Sequence, residues 1–481
     1  MTLRPVRVRF APSPTGMMHL GSVRTALLNY LFARRKGGTF VLRIEDTDAQ
    51  RNFDPGAQQI IKDLQWLGLD YDEGPIKGGP YGPYFQSERD HLYQQELDRL
   101  KERNMVYHCF CSPQELERKR IRQLALKMPP RYDRACLNIS AQEIELNLTN
   151  KIPFIWRVKL NPDEQLTISD MAHGEIVFDM KNFSDFPITR ADGTVTFMFA
   201  NFVDDMLMEI SHVIRGEDHL TNTAGQVALY RIFQAPMPVF WHVPILCNAQ
   251  GKKLSKRDFG FSLIDLRNAG YLPQALNNYL SIIGVAGVEQ EIMDLSELAR
   301  FFEFDKLHAA GHIKYDVEKL RWVNHKWINR IDENHLLEIA LPFIAAVYPS
   351  ASDFDQALLL RAVRILKTDM YTLAQAPEVV GFLFNTPQLT RLDFEQVINA
   401  DALEPLAELI KTHLPIIEHP HQFVDAVKAG AKAQAIAMNQ LFCFMRLALT
   451  GKSHGPALIE LIEILGPIQA RQRLETIVAA W

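Results

Sequence analysis

Apolar and basic side chains alternate at period two from Val6 to Phe10, the pattern of a half-buried strand. Pro12, Pro14 and Gly16 break it. From Leu20 the apolar positions Val23, Leu27 and Leu31 recur at helical spacing until Gly37 and Gly38 stop them. A second strand is predicted from Thr39 to Asp46. Strand, helix and strand with short connections form a βαβ unit and imply a parallel sheet. Ligands of such a sheet lie at the carboxyl ends of its strands, where Ser13 and Glu45 both fall. The pattern returns downstream as a strand over His212–Asp218, a helix over Thr223–Phe233 and a strand over Phe240–Leu246. Between Gln86 and Thr196 it is mixed, which predicts an insertion into the α/β fold. Pro273 opens a helix whose apolar face is Ala275, Leu276, Tyr279, Leu280 and Ile283. Beyond residue 325 nearly everything reads helical, with breaks predicted at Pro349, Pro387, Pro405 and Pro415.

Composition narrows the class of protein. A chain of 481 residues is too long for one ordinary core, so two to four domains are expected. Hydrophobic residues at 47% and charged residues at 23% are globular values, which argues against disorder. No apolar run is long enough to cross a bilayer, and the first residues lack the apolar stretch of a secretory signal. Five cysteines do not make a disulfide framework, and a reducing cytosol is expected. Net charge is −5, so a nucleic-acid partner must be met by local basic patches.

Two loops carry candidate chemistry. The turn after the first strand delivers His19 and Gly21 to a helix start, where backbone N–H groups, an imidazole and the helix dipole converge as an anionic phosphate requires. The loop Gly251–Arg257 places Lys252, Lys253, Ser255, Lys256 and Arg257 after the strand ending at Leu246, suited to grip a pyrophosphate. Ala11 to Gly21 resembles the first signature of the class I aminoacyl-tRNA synthetases in its glutamyl form, and Lys253 to Arg257 resembles the second. Over its whole length the chain resembles the bacterial-type glutamyl-tRNA synthetases.

That resemblance implies a fold, an activity and a site. The fold is α/β: a Rossmann-type parallel catalytic domain over 1–88 and 200–260, and an inserted α/β acceptor-end-binding domain over 89–199. A helical stem-contact region over 261–325 and an all-helical anticodon-binding domain over 326–481 complete it. The activity is ligation of L-glutamate to tRNA(Glu) through a glutamyl-adenylate, using ATP with Mg²⁺ and releasing AMP and diphosphate; adenylate formation depends on bound tRNA. In-line attack of a carboxylate on the α-phosphate relies on positioning and charge neutralisation and needs no general base. His19 would donate to the phosphates, Gly21 would leave room for adenine or ribose, and Ser22 and Ser255 would complete the ATP site. Lys253 and Lys256 would stabilise the leaving pyrophosphate. Arg9, Ala11 and Ser13 would line the glutamate site, Glu45 would hold the ammonium, and Asn201 and Arg215 would close it, arginine's fork being suited to a second carboxylate. Phe197 stands where the family has tyrosine.

Cys109, Cys111 and Cys136 suggest a structural zinc site. Three alternatives stand for the fourth ligand. Tyr132 fits the spacing of a tRNA-modifying paralogue, Asn138 occupies the position of a histidine in some bacterial relatives, and His108 precedes the pair. The basic run from Glu117 through Lys127 to Arg131 is expected on one helix face, contacting the acceptor end. The segment Tyr315–Trp327 mixes cations with aromatics and suits RNA or a core equally. Pro12–Gly16 and the helical C-terminal half argue against a glutaminyl-tRNA synthetase. Residues 326–481 argue against the short tRNA-glutamylating paralogue, and the presence of His19, Lys253 and Lys256 argues against a non-catalytic RNA-binding paralogue. Whether tRNA(Gln) is also charged stays open; the resemblance implies a monomer in the cytoplasm.

Overall fold

The computed structural model describes residues 4–47, 52–255, 257–285, 287, 289–307, 313–479 and 481. They divide into two compact units, Met1–Asp265 with Asn277–Val317, and Leu266–Leu276 with Glu318–Trp481.

The first unit is α/β. Strand β1 (Arg7–Phe10) pairs in parallel with β2 (Thr39–Leu42), Arg9 opposite Val41. Between them runs α1 (Leu20–Lys36), which starts where His19 is extended and stops where Gly37 turns left-handed at φ 61°. Gly38 must be glycine, because a Cβ there would lie 2.5 Å from the carbonyl oxygen of Val6. The segment 89–199, expected as an insertion, follows α2 (Gln58–Leu67) and opens with α3 (Asp90–Glu102). It holds β3 (Val106–Cys109), α4 (Pro113–Ala125), α5 (Ala141–Thr149), β4 (Ile155–Val158), β5 (Gln165–Asp170) and β6 (Gly174–Asp179). The chain re-enters the α/β layer with α6 (Phe197–Leu207), β7 (His212–Gly216), α7 (Leu220–Phe233) and β8 (Val239–Val243). β7 and β8 are parallel, in a sheet ordered β6-β5-β8-β7, and the Ser211 N–H donates to the Arg7 carbonyl at 3.0 Å, bringing β7 beside β1. Thus β1, β2 and β7 end at one edge, as the period-two pattern predicts.

Several local expectations are corrected. The strand predicted over Phe240–Leu246 stops at Val243, because Pro244 has no N–H for a ladder. Leu246–Cys247 forms its own strand, β9, which pairs in parallel with β10 (Ile313–Lys314), where no strand was predicted. The regular second strand ends at Leu42, although the Arg43 and Glu45 N–H groups still donate to the Phe10 and Pro12 carbonyls at 3.0 Å and Ile44 bridges Phe85. The basic run is not one helix face, since α4 ends at Ala125 and Lys127 is left-handed at φ 56°. Arg131 is fastened back by Gln123, which bonds both its N–H and its carbonyl at 2.8 Å.

Between β9 and β10 lie α8 (Leu263–Asn268), α9 (Pro273–Ile282) and α10 (Leu295–Phe301). Then follow α11 (Val317–Arg330), α12 (Glu333–Val347), α13 (Gln356–Leu366), α14 (Ala376–Val380), α15 (Arg391–Glu395) and α16 (Ala400–His413). The chain closes with α17 (Pro420–Ala433), α18 (Met438–Thr450), α19 (Leu458–Leu465) and α20 (Pro467–Val478), so the second unit is helical. Pro405 lies inside α16 and does not break it. The missing hydrogen bond costs about 3 kcal/mol, whereas Leu403, Leu406, Leu409 and Ile410 are all buried at about 1.5–3 kcal/mol each. On α11 Leu320, Val323, Asn324, Trp327 and Ile328 are buried, so that stripe is core, while half-buried Trp322 lies under Lys319 and Lys326.

Candidate active site

A cavity of about 370 Å³ opens where β1 and β7 end. Its walls include Arg9, Ala11, Ser13, His19, Gly21 and Ser22 from β1 through the start of α1. Glu45 follows from the segment after β2, Phe197 and Asn201 from the first turns of α6, Arg215 from β7 and Lys253 from the basic loop. Seven residues expected to take an amino acid and four expected to meet a nucleotide therefore share one wall. Ser255 does not line the cavity; its N–H and hydroxyl are held by Asp258 at 2.8 and 2.9 Å. Lys256 lies outside the described residues.

The nucleotide end is built by the N-terminus of α1. His19 caps the helix, its Nδ1 accepting the Ser22 N–H at 3.2 Å, while Nε2 lies 3.0 Å from the Ser22 hydroxyl. An accepting Nδ1 leaves the proton of the neutral ring on Nε2. Desolvation, and then the Lys253 ammonium, hold the ring's pKa below the ordinary histidine value, although the side chain is exposed at the cavity rim. The imidazole folds back over Gly21, where an added Cβ would meet it at 3.1 Å; this glycine serves the histidine's orientation first. Across the rim Lys253 Nζ pairs with Asp218 at 2.7 Å, both groups substantially exposed.

The floor is a buried ionic lattice. Arg43, fully buried, meets Asp205 at 2.7 Å, Glu45 at 3.2 Å and Asp204 at 3.6 Å. Arg9 holds Asp205 at 3.1 Å, and Arg89 holds Asp204 at 2.6 Å. Burial alone would raise the Asp205 pKa, but Arg9 and Arg43 outweigh it and hold the group below the usual carboxylate range. Four hydrogen-bonded side chains then cross the floor: Asn201 donates to Glu45 at 2.6 Å, Gln226 to Asn201 at 2.7 Å, and Arg215 to Gln226 at 2.7 Å.

The two ends of that chain carry opposite buried charges, and only Glu45 has an ion-pair partner among the described residues, Arg43 at 3.2 Å. Arg215 is buried, yet among the described residues its hydrogen-bond partners are all uncharged: Thr223, Gln226 and His242. Burial first, and then nearby Arg9, push its pKa down to about 10. Glu45 is the mirror image, its pKa raised by burial in spite of Arg43 and Arg9. A ligand with an ammonium near Glu45 and a carboxylate near Arg215 relieves both.

Sequence reasoning missed the supports of this site: Arg43, Asp204, Asp205, Thr223, Gln226, His242 and Asp170. None belongs to a short motif, and their partners stand up to 196 positions away. One signal was available. Arg43 and Glu45 are charges in a stretch that otherwise reads as buried strand, which demands partners.

A second cluster sits in the insertion. The Sγ atoms of Cys109, Cys111 and Cys136 lie within 4.8 Å of one another, Cys111 and Cys136 at 3.6 Å. Tetrahedral Zn–S bonds of about 2.3 Å require sulfurs about 3.8 Å apart. The Tyr132 hydroxyl stands 3.2 Å from Cys109 Sγ and 3.9 Å from Cys111 Sγ. His108 points to the opposite face of β3, stacked among Phe110, Phe154 and Trp156, and cannot reach the sulfurs from there. Asn138 is exposed.

Known proteins resemble this chain in sequence and fold. The family model described as tRNA synthetases class I (E and Q), catalytic domain, matches residues 5–322, and an anticodon binding domain matches residues 335–478. A glutamate–tRNA ligase of Finegoldia magna is 35% identical, with 98% of each chain covered. One from Geobacillus stearothermophilus is 37% identical at the same coverage. The crystal structure of a glutamate tRNA ligase from Elizabethkingia meningosepticum, in complex with its amino acid, superposes with a TM-score of 0.87 at 30% identity over 99% of each chain.

Proposed function

We infer the activity from kinship: this chain belongs to the class I tRNA synthetases for glutamate and glutamine, and it joins L-glutamate to tRNA using ATP. The observation that carries the choice of amino acid is the buried Glu45 carboxylate at one end of a hydrogen-bonded floor and, at the other, buried Arg215, whose hydrogen-bond partners among the described residues are all uncharged. Glutamate supplies an ammonium to the first and a side-chain carboxylate to the second. Glutamine would leave the Arg215 cation buried without a counter-charge, a costly arrangement.

The geometry supports the following division of labour. Glu45, with Asn201, receives the ammonium; Arg215, with Arg9 behind it, receives the side-chain carboxylate; Ala11, Ser13 and Phe197 complete the wall. The α-carboxylate is left facing the nucleotide end, placed for in-line attack on the α-phosphate. ATP enters as its Mg²⁺ complex, whose metal neutralises part of the phosphate charge. His19 turns its Nε2–H from Ser22 to a phosphate oxygen, and Gly21 and Ser22 offer the N-terminus of α1 to the same charge. Lys253 leaves Asp218 for the pyrophosphate as negative charge builds there. Ser255 and Lys256 belong to the same loop and are assigned to the same end.

Cys109, Cys111, Tyr132 and Cys136 are assigned to a structural zinc ion, which would tie β3 to the Tyr132–Cys136 segment; the sulfur spacing and the Tyr132 hydroxyl support that set. The insertion over 89–199 takes the acceptor end. The helical region over 261–325 takes the stem and residues 326–481 take the anticodon of tRNA(Glu), beside the catalytic segments 1–88 and 200–260. The enzyme acts as a monomer in the cytoplasm, where tRNA is charged; among the described residues no helix is long and apolar enough to cross a membrane.

Charging of separately purified tRNA(Glu) and tRNA(Gln) with labelled glutamate tests the reading. Glutamate on tRNA(Glu) is expected. Additional charging of tRNA(Gln) would widen the acceptor range, and failure with both would overturn the function.

A further inference from the structure

Asp170 ends β5 in the insertion, far in sequence from the amino acid pocket, yet it reaches the pocket floor through buried groups. It is 2% exposed and His242 is 0% exposed. One carboxylate oxygen accepts His242 Nδ1 at 2.6 Å and the His242 backbone N–H at 3.2 Å. The other accepts the N–H groups of Ala172 and His173 at 2.9 and 3.0 Å. Every contact asks the carboxylate to accept, so the imidazole proton is held on Nδ1 and Nε2 is left as an acceptor.

That tautomer has a consequence for the next residue. Nε2 takes the Thr223 hydroxyl at 2.8 Å and faces the Arg215 Nε at 3.4 Å. The Thr223 hydroxyl also lies 3.2 Å from the His219 carbonyl; whichever of the two acceptors takes its proton, the closer being His242, the Thr223 oxygen presents a lone pair to Arg215 Nη2, 2.6 Å away, and Gln226 Oε1 holds the same nitrogen at 2.7 Å. One edge of the guanidinium is thereby fixed from below, and Nη1 is left for a ligand. In the opposite tautomer an Nε2–H would confront the Arg215 Nε–H.

We propose that Asp170, His242 and Thr223 are positioning residues for Arg215, setting the orientation in which it meets the side-chain carboxylate of the amino acid substrate. The proposal rests on the reading of Arg215 as the group that takes that carboxylate. Through Asp170 the insertion over 89–199 thus takes part in amino acid selection from a residue that does not itself line the pocket.

Steady-state charging by the full chain tests it, with glutamate, ATP and tRNA(Glu) varied in turn. Asp170→Asn removes one acceptor oxygen and the tautomer it enforces; Thr223→Val removes the hydroxyl at constant shape, and Thr223→Ser restores it. The expected result is a rise of about tenfold or more in the KM for glutamate for Asp170→Asn and Thr223→Val. The KM for ATP should stay within about twofold, and Thr223→Ser should recover most of the loss. If Asp170→Asn does not fold, the Val and Ser pair decides alone. A glutamate KM unchanged in Thr223→Val, or KM values for glutamate and ATP that rise together, overturns the proposal. Arg215→Gln separates the two claims. If it raises the glutamate KM while Thr223→Val does not, only the positioning role fails; if it leaves that KM unchanged, the assignment of Arg215 itself fails.

Discussion

Two buried arginines a few ångströms from one pocket should respond in opposite ways to the same substitution. Arg43 is fully buried and lies against Asp204, Asp205 and Glu45, and these carboxylates raise its pKa against the effect of burial. Arg43→Gln leaves those carboxylates short of a cation, and breaking a buried ionic cluster costs about 3–5 kcal/mol. Arg215 is buried with uncharged partners, and the lowering of its pKa to about 10 corresponds to roughly 3 kcal/mol held against its charged form. Arg215→Gln relieves that penalty and gives up hydrogen bonds to Thr223 and Gln226 of similar total worth, so stability should change by no more than about 1 kcal/mol. Catalysis reverses the order. Losing the cation that meets a desolvated carboxylate costs about 2–5 kcal/mol, or about 30-fold to a few thousand-fold in kcat/KM for glutamate. The assay is a urea unfolding midpoint and a charging kcat/KM for each variant. If Arg215→Gln unfolds as early as Arg43→Gln, or keeps its glutamate kcat/KM, the view of Arg215 as a charge reserved for substrate is wrong.

Three further outcomes are expected. Lys253→Ala should lower kcat by about 10²- to 10³-fold with the glutamate KM nearly unchanged, because the lysine acts on charge that develops only on the leaving pyrophosphate; an unchanged kcat refutes that role. His219 lines the pocket and its pKa is pushed down to about 4 by burial first and by Arg215 next, Asp218 opposing. An unfolded histidine titrates near ~6.5, so between about 6.5 and 4 the unfolded chain binds the extra proton, and stability present above that window is lost as pH falls through it. The urea midpoint should therefore fall less steeply between about pH 7 and about pH 4 in His219→Gln than in wild type; parallel falls contradict it. Metal analysis of purified protein should find about one zinc per chain, lost in Cys136→Ser together with thermal stability; protein free of zinc removes the site.

What was legible in the sequence was local. His19, Gly21 and Lys253 are carried by short spacings on either side of a strand end, and the period-two and helical patterns located β1, α1, β2, β7 and α7 with their common edge. The structure gathers Arg9, Glu45, Asn201 and Arg215 beside them, residues named through the family pattern and not through spacing. Long-range polar partnership was not legible. Asp205 reads as one more acid on a helix until Arg9 and Arg43 close on it, and Asp170 reads as a strand end until His242 is placed against it. Backbone exceptions were missed for a related reason. Pro244 breaks β8 from β9 because a ladder needs its absent N–H, whereas Pro405 survives inside α16 because the buried leucines around it outweigh one lost bond. For the cysteine cluster the spacing was readable, but strand alternation decided among the neighbours, turning His108 away while the loop brought Tyr132 in.

The central claim is that this cleft makes glutamyl-adenylate. Exchange of labelled pyrophosphate into ATP by the purified protein with tRNA(Glu) present measures that step alone. The account predicts exchange that requires glutamate, is not supported by glutamine at the same concentration, and is lost in Arg215→Gln. Exchange independent of glutamate, or equally supported by glutamine, would contradict it.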